Sequence, residues 1–370
     1  MTKLEKLITE LCPNGVEFKE LGKVCTFLKG QMPSKNELSK NVNDFEVVTA
    51  SQGVFGFFHK SNMPKNMITI SSHGAYAGFV NYWNKPIWLA NNVFGLQINP
   101  EIRANPRFIF FVLKINTVRI QSKVRGGGIP YINSKDLELI KIPIPPLEVQ
   151  EEIVRILDKF TQLEAELEAE LEARKKQYSH YRNALLSFEN PEDAVGIEWV
   201  ALKNVAKIKN GKDWKTAGRG KVPVYGSGGI MSQTVSKIAY SKPTVLIPRK
   251  GTITNIFYTE KPFWNVDTIY YTEIDNSLIL PKFFFYFMDN FNLKKLDTGK
   301  SGRPSLTQSV LNEIKIPLPP LERQKEIVEI LDKFEKLTSD ISQGLPAEIT
   351  ARRKQYEYYR NKLLTFNELP

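Results

Sequence analysis

The sequence predicts an α+β protein in which two pseudo-symmetric mixed α/β domains are separated by a long antiparallel two-helix coiled coil. Three observations predict it: a segment that returns almost unchanged, an apolar seam of helical period in both copies, and a basic excess confined to the stretches outside them. At 370 residues the chain is too long for one ordinary core. Its 42% hydrophobic content supplies enough apolar surface to bury, which excludes a disordered chain.

The repeat fixes the organisation, so it is read first. Ile140–Phe160, IKIPIPPLEVQEEIVRILDKF, returns as Ile314–Phe334, IKIPLPPLERQKEIVEILDKF. Ala173–Phe188, ARKKQYSHYRNALLSF, returns as Ala351–Phe366, ARRKQYEYYRNKLLTF. A weaker echo joins Gly15–Gly30 to Gly196–Gly211 and sets Gly128-Ile129-Pro130 against Gly302-Arg303-Pro304. The expected partition is a first domain over 1–145, a central helix over 146–190, a second domain over 191–317 and a C-terminal helix over 318–370. Helical parts nearly match between copies, while the domains differ outside turns and apolar anchors. Two copies of one scaffold are thus expected to perform different recognition tasks.

In the central segment, Ile153, Leu157, Phe160, Leu163, Leu167, Leu171, Tyr178, Tyr181, Leu185 and Phe188 fall mostly three and four apart, a seam of coiled-coil period. Pro145-Pro146 sets its start and Asn190-Pro191 its end. About 40 residues make a rod of roughly 60 Å. The second copy repeats the seam from Ile327 to Leu363 and carries Gly344-Leu345-Pro346, an expected break. A greasy stripe on so long a helix needs a partner, and a chain that goes out and returns predicts antiparallel pairing of the two copies. Leu163-Glu-Ala-Glu, Leu167-Glu-Ala-Glu and Leu171-Glu-Ala-Arg form a tetrapeptide repeat of strong helix formers, so rod length looks adjustable.

The domains read as short strands between Gly-rich turns, with runs at Phe45–Ala50, Met67–Ile70, Thr244–Ile247 and Thr268–Thr272. Pro106–Lys114 and Pro281–Met288 read as helices whose phenylalanines belong to the core. Charge divides along the same boundaries. Residues 1–145 hold 18 basic against 10 acidic side chains and 191–317 hold 18 against 11, whereas 146–190 hold 6 against 10 and 318–370 hold 9 of each. A polyanion is the natural partner of two basic domains, although charge alone would equally serve solubility.

No catalytic constellation emerges. The two Pro-Pro pairs sit in Ile-Pro-Pro-Leu and Leu-Pro-Pro-Leu, as helix-start punctuation. Tyr225-Gly226-Ser227-Gly228-Gly229 lacks the later acidic residue of a dinucleotide loop and reads as a turn. Glu17-Phe18-Lys19 has nuclease-like spacing, but its counterpart Glu198-Trp199-Val200 loses the lysine. His59, His73 and His180 are scattered, and Cys12 and Cys25 have no metal-type spacing, so neither a metal nor a disulfide is expected. No apolar run is long enough for a membrane span, and the N-terminus lacks a secretory signal, so no membrane partner and a cytoplasmic location are expected.

A basic domain, an IPIPPLE-VQEEIV-ILDKF helix, a second basic domain and a second such helix closing in ARRKQYEYYRNKLL resemble the specificity subunits of type I restriction-modification enzymes. The resemblance covers the whole chain. It implies two target-recognition domains that each read half of a bipartite site in double-stranded DNA, and helices that bind two modification (methyltransferase) subunits. S-adenosylmethionine chemistry on adenine would belong to those partners, and motor-nuclease restriction subunits would complete the enzyme; this chain itself would be non-catalytic and hold no cofactor. The competing reading is a stand-alone bivalent sequence-specific DNA-binding protein, and an enzyme acting on DNA unaided is more distant.

DNA-contact candidates are polar or basic residues of Gly-rich loops, since arginine and glutamine suit base edges and lysine suits phosphates. In the first domain they are Lys29, Gln31, Ser51, Gln52, His73, Tyr76 and Arg125. In the second they are Lys212, Lys215, Arg219, Ser227, Arg249, Lys250, Lys300 and Arg303. A merely solvated role competes for each one singly.

Overall fold

The computed structural model describes residues 2–51, 54–188, 196–299, 304–339 and 343–370. The chain divides into two compact units, Met1–Leu167 with Ile349–Pro370, and Glu168–Glu348. This differs from the expected partition, because each unit takes a domain together with part of both long helical segments. Six helices matter: α1 (Lys3–Leu11), α2 (Pro106–Ile115), α3 (Leu147–Ser187), α4 (Pro281–Asn290), α5 (Leu321–Ser339) and α6 (Gly344–Leu363). The break between α5 and α6 falls where Gly344-Leu345-Pro346 predicts it. Gly344 has φ +72, and a Cβ there would lie 2.6 Å from the carbonyl of Lys336, so glycine is required.

In the first unit the strands are β1 (Glu17–Glu20), β2 (Cys25–Lys29), β3 (Phe45–Val48), β4 (Gly56–Phe58), β5 (Met67–Ser71), β6 (Val80–Trp83), β7 (Trp88–Leu89), β8 (Val93–Ile98) and β9 (Lys141–Ile144). They form a four-stranded sheet β2-β8-β5-β6, a three-stranded sheet β4-β3-β7 and a pair β1-β9. The second unit repeats this with β10 (Glu198–Ala201), β11 (Ala206–Asn210), β12 (Arg219–Gly226), β13 (Gly229–Val235), β14 (Thr244–Pro248), β15 (Phe257–Thr259), β16 (Trp264–Asn265), β17 (Ile269–Ile274) and β18 (Lys315–Leu318). Its sheets are β11-β17-β14-β15, β13-β12-β16 and β10-β18. Each three-stranded sheet has one parallel pairing, β3 with β7 and β12 with β16. Tyr225–Gly229 is the expected turn, with Gly226 opposite Gly229.

β5 and β14 are buried along their whole length, on both faces, and the phenylalanines of α2 and α4 pack in the same cores. Phe108, Phe111, Phe283 and Phe284 are all buried. Asn105 caps α2 by accepting from the Arg107 and Phe108 N–H groups, and Pro106 follows in the first turn, where its missing donor costs nothing. Cys12 and Cys25 are free and buried, and burial pushes the Cys25 thiol up to about 12, so it remains an inert core residue.

Helix pairing is antiparallel where the first unit shows it. Phe160 of α3 stacks on Tyr359 (5.6 Å) and lies 6.3 Å from Tyr356, while the later Glu164 reaches the earlier Arg353 at 2.5 Å. The second unit makes the same contact with the copies exchanged: Phe334 of α5 lies 5.7 Å from Tyr181 and 6.1 Å from Tyr178 of α3. Ile153 and Leu157, like Ile327 and Leu331, are fully buried. The tetrapeptide repeat departs from the expected seam, since Leu163 is 37% exposed and Leu167 and Leu171 are only half-buried.

One buried side chain ties each domain to its helix. The Gln150 amide, 0% exposed, donates to the carbonyls of Pro145 (2.7 Å) and Arg103 (3.2 Å) and accepts from the Asn105 N–H (2.8 Å). Gln324, equally buried, donates to Pro319 (2.9 Å) and Leu278 (3.0 Å) and accepts from Leu280 (2.7 Å). Replacing Gln324 with Leu keeps the volume but strands one N–H and two carbonyls. Gln324→Leu is expected to cost about 2–4 kcal/mol in urea unfolding, from unpaired buried groups.

Two residues further along α3, the buried carboxylate of Glu152 anchors α1 through Lys3, whose Nζ lies 3.0 Å away, and also takes Arg155 at 2.6 Å. The Arg155 hydrogen bonds, working against burial and helped by Lys3, hold the Glu152 carboxyl down at about 2. A depressed carboxylate contributes stability that is present above its ordinary value near 4.5 and is lost as pH falls toward about 2. Between those pH values, acid destabilisation monitored by circular dichroism should be shallower in Glu152→Gln than in the parent.

Candidate nucleic-acid interface

The end of one central strand of each four-stranded sheet, β5 and β14, meets a returning loop, and four backbone hydrogen bonds there recur in both units. Gly74 N–H donates to Pro130 (2.8 Å), as Gly251 does to Pro304 (3.1 Å). Ile132 donates to Ser72 (2.9 Å), as Leu306 does to Arg249 (2.8 Å). Ser72 donates to Asn92 (3.0 Å) and Arg249 to Thr268 (2.8 Å), while Arg125 donates to Tyr131 (2.8 Å) and Thr298 to Ser305 (2.9 Å). The glycines have φ +84 and +82, a conformation other residues adopt only with strain. Ser72, His73, Gly74, Asn92, Arg125 and Tyr131 therefore occupy the places of Arg249, Lys250, Gly251, Thr268, Thr298 and Ser305.

A second matched locus follows β2 and β11. Gln31 N–H donates to Leu89 (3.0 Å) and its carbonyl accepts from the Trp88 indole (2.6 Å). Lys212 N–H donates to Asn265 (2.9 Å) and its carbonyl accepts from the Trp264 indole (3.0 Å). The glycines just before admit no side chain: a Cβ would lie 1.7 Å from the Leu89 carbonyl at Gly30, and 2.0 Å from that of Val266 at Gly211.

The family model described as the type I restriction modification DNA specificity domain matches the chain twice, over residues 13–173 and 195–351. The chain belongs to this family. It is 32% identical, over 99% of both chains, to a Haemophilus influenzae protein named for the specificity subunit of a type I restriction enzyme. It is also 34% identical to the EcoR124I/EcoR124II specificity subunit of Escherichia coli, over 61% of this chain and 63% of that one. Among solved structures, the S subunit of a type I system from M. genitalium shares the fold at TM-score 0.66 and 22% identity, covering 95% of this chain and 96% of that one. The HsdS subunit from Thermoanaerobacter tengcongensis does so at 0.52 and 19%, covering 96% and 97%.

In this specificity subunit the structure gathers some of the sequence candidates and separates others. His73 and Arg125 meet at the first locus of the first unit, and Arg249, Lys250 and Ser227 at its counterpart; there the Ser227 N–H donates to Thr268 Oγ1 (3.3 Å). His73 Nδ1 is 2.8 Å from Ser72 Oγ, and its ring stacks near Tyr131 (6.4 Å). Arg125 is tied to Asp136 at 2.8 Å. Gln31 and Lys212 occupy the second locus. Lys29 ends β2 exposed, 5.8 Å from the Phe94 ring centroid, and Tyr76 is exposed on the loop after Gly74. Ser51 lies 2.9 Å from Thr49 Oγ1 just past β3, whereas Lys215 and Arg219 belong to the turn Trp214–Ala217 and the start of β12. Gln52, Lys300 and Arg303 lie outside the described residues.

Sequence reading missed Tyr131, Asn92, Thr268 and Ser305, which reach the first locus from distant segments. It also missed the tryptophans of Lys85-Pro86-Ile87-Trp88 and Lys261-Pro262-Phe263-Trp264, although that echo was a usable signal. Among the described residues no cluster of His, Cys, Asp and Glu fits a metal, and no helix is long and apolar enough to cross a membrane. Gly211→Ala is expected to lose about 3 kcal/mol or more, since backbone must move to admit the Cβ. Gly127→Ala, with nothing within 4 Å of the added atom, serves as the control in thermal unfolding and should shift stability by about 0.5 kcal/mol at most.

Proposed function

We propose that each unit of this specificity subunit reads one half of a bipartite site in double-stranded DNA, while the helices dock two modification subunits. The observation that carries this is the matched backbone frame, which two basic domains equip with unrelated side chains. Cations without nearby acids neutralise phosphates and set register, and side chains on a rigid frame address base edges. S-adenosylmethionine binding and adenine methylation belong to the modification subunits, and cleavage to motor-nuclease subunits, in the cytoplasm. Exposed charges flanking the helix seams, Glu151 and Lys159 on α3 and Lys325 and Glu329 on α5, suit such docking. Co-purification tests it directly: recovery of the chain alone from a host that expresses the modification subunit would favour the stand-alone DNA-binding reading instead.

Mapping methylated adenines in a host with and without this gene tests the function as a whole. One split motif should appear only when the gene is present. The length of α3 supports a spacer role, because half-sites on one face of the duplex demand a set separation. Inserting one further Leu-Glu-Ala-Glu unit after Glu170 lengthens that helix by roughly 6 Å. The mapped motif should then keep both half-sites and gain a base pair or two between them, and an unchanged spacer would refute the ruler.

A further inference from the structure

The two copies of the strand-end locus differ in what they offer a base pair. In the first unit the exposed groups are His73, Arg125 and Tyr131, an aromatic pair beside a guanidinium already held by Asp136. In the second they are Lys250 and Thr298, with Arg249 and Ser305 half-buried beside them, so that two cations sit among small hydroxyls. The supporting residues do not differ in kind: Ile132 and Leu306 are both buried, as are Ile70 and Ile247. The glycines leave open space in front of the frame, with nothing within 4 Å of a Cβ at Gly74 and only Ser227 Oγ, at 3.5 Å, near one at Gly251. A constant backbone with interchangeable, outward side chains is what base discrimination requires, because the supporting shell fixes each reading group before DNA arrives.

Arg249 is the best placed of these groups. Its backbone is fixed on both sides by Thr268 and Leu306, its guanidinium lies 5.9 Å from the Tyr270 ring centroid, and one nitrogen reaches the Asp267 carbonyl at 3.4 Å. No carboxylate engages it or Lys250 among the described residues. A planar fork held half-buried and unpaired by acid matches the two acceptors, O6 and N7, that guanine presents in the major groove.

We propose that this locus is the base-reading site of each unit, and that in the second unit Arg249 contacts a guanine, with Lys250 on the adjacent phosphate or base. The first unit's copy reads its half-site through His73 and Tyr131, by apolar contact and hydrogen bonding at a base edge such as that of thymine with its methyl group, rather than by a bidentate cation. The assignment rests on the proposed reading of a bipartite site.

The test is methylation mapping in a host that carries the modification subunits and this chain as parent, Arg249→Lys, Arg249→Ala or His73→Ala/Tyr131→Ala. Arg249→Lys keeps the charge and loses the fork, so it should relax a single guanine position in one half-site, with discrimination falling roughly ten- to hundredfold. Arg249→Ala should relax the same position further, and the His73/Tyr131 variant should alter only the other half-site. Spacer length should stay constant throughout. Where a variant gives no methylation, selection by the purified complex from duplexes randomised in one half-site reads the same preference. An unchanged motif in Arg249→Lys, or loss of preference in both half-sites, would overturn the assignment. A parent chain that directs no sequence-specific methylation would instead sink the reading beneath it.

Discussion

The buried glutamine at each helix start is the constraint on which the remaining geometry depends. A single amide joins the last residues before the helix, a loop of the domain and the N–H at the start of that domain's Phe-rich helix, in both units and with the same three contacts. Apolar packing alone holds two surfaces together without fixing their angle, since the hydrophobic effect is non-directional. Three hydrogen bonds in a dry site do fix it, because any rotation strands buried polar groups. This explains why Pro-Pro-Leu-Glu-x-Gln returns unchanged while the domain sequences drift: the joint has one solution, whereas the face it carries has many.

Within each domain the same division recurs on a smaller scale. Glycines pressed against carbonyls, indoles donating to the backbone and buried aliphatics set where the strand-end loop lies. None of these can vary without moving the frame, as the distances at Gly30 and Gly211 show. The side chains pointing away from the frame carry no such burden, so His73 can stand where Lys250 does and Tyr131 where Ser305 does at little structural cost. The polar contact between the Phe-rich helix and the long helix varies likewise. Arg107 pairs with Asp158 in the first unit, while in the second Lys282 and the Tyr286 hydroxyl share Asp332 and the hydroxyl also lies 2.7 Å from Glu335.

What the sequence made legible follows from how local each signal was. The helices, their break at Gly344 and the Phe-rich helices were readable because period and proline placement are properties of consecutive residues. The four strands named from the sequence, β3, β5, β14 and β17, were readable to within a residue or two for the same reason, and the others were not named. Tyr131 and Asn92 escaped because their role comes from pairing with residues that are not their neighbours in the sequence, Tyr131 with His73 and Asn92 with Ser72, and neither is basic. Conversely, Lys215 and Arg219 were chosen for charge, a property that says nothing of which element holds them. Gln31 and Lys212, chosen for their chemistry, are one position seen twice, as the echo of Gly15–Gly30 in Gly196–Gly211 already implies. The expected seam failed at Leu163, because leucine every fourth residue drifts around a helix of 3.6 residues per turn and cannot stay on one face.

Charge distribution completes the argument. The domains carry the basic excess, while the central helical segment is acidic and the C-terminal one neutral. Binding to DNA through phosphates is strong and indifferent to sequence, so a uniformly basic chain would hold a duplex anywhere along its length, in any register. Acidic residues on the helix, many of them in the Leu-Glu-Ala-Glu repeat, remove that competing surface. On the reading proposed above, polyanion contact is thereby restricted to the faces that carry the matched frames. The exposed carboxylates of the repeat thus do for specificity what they would not do for stability, since isolated surface ion pairs such as Arg174 with Glu170 contribute little to folding.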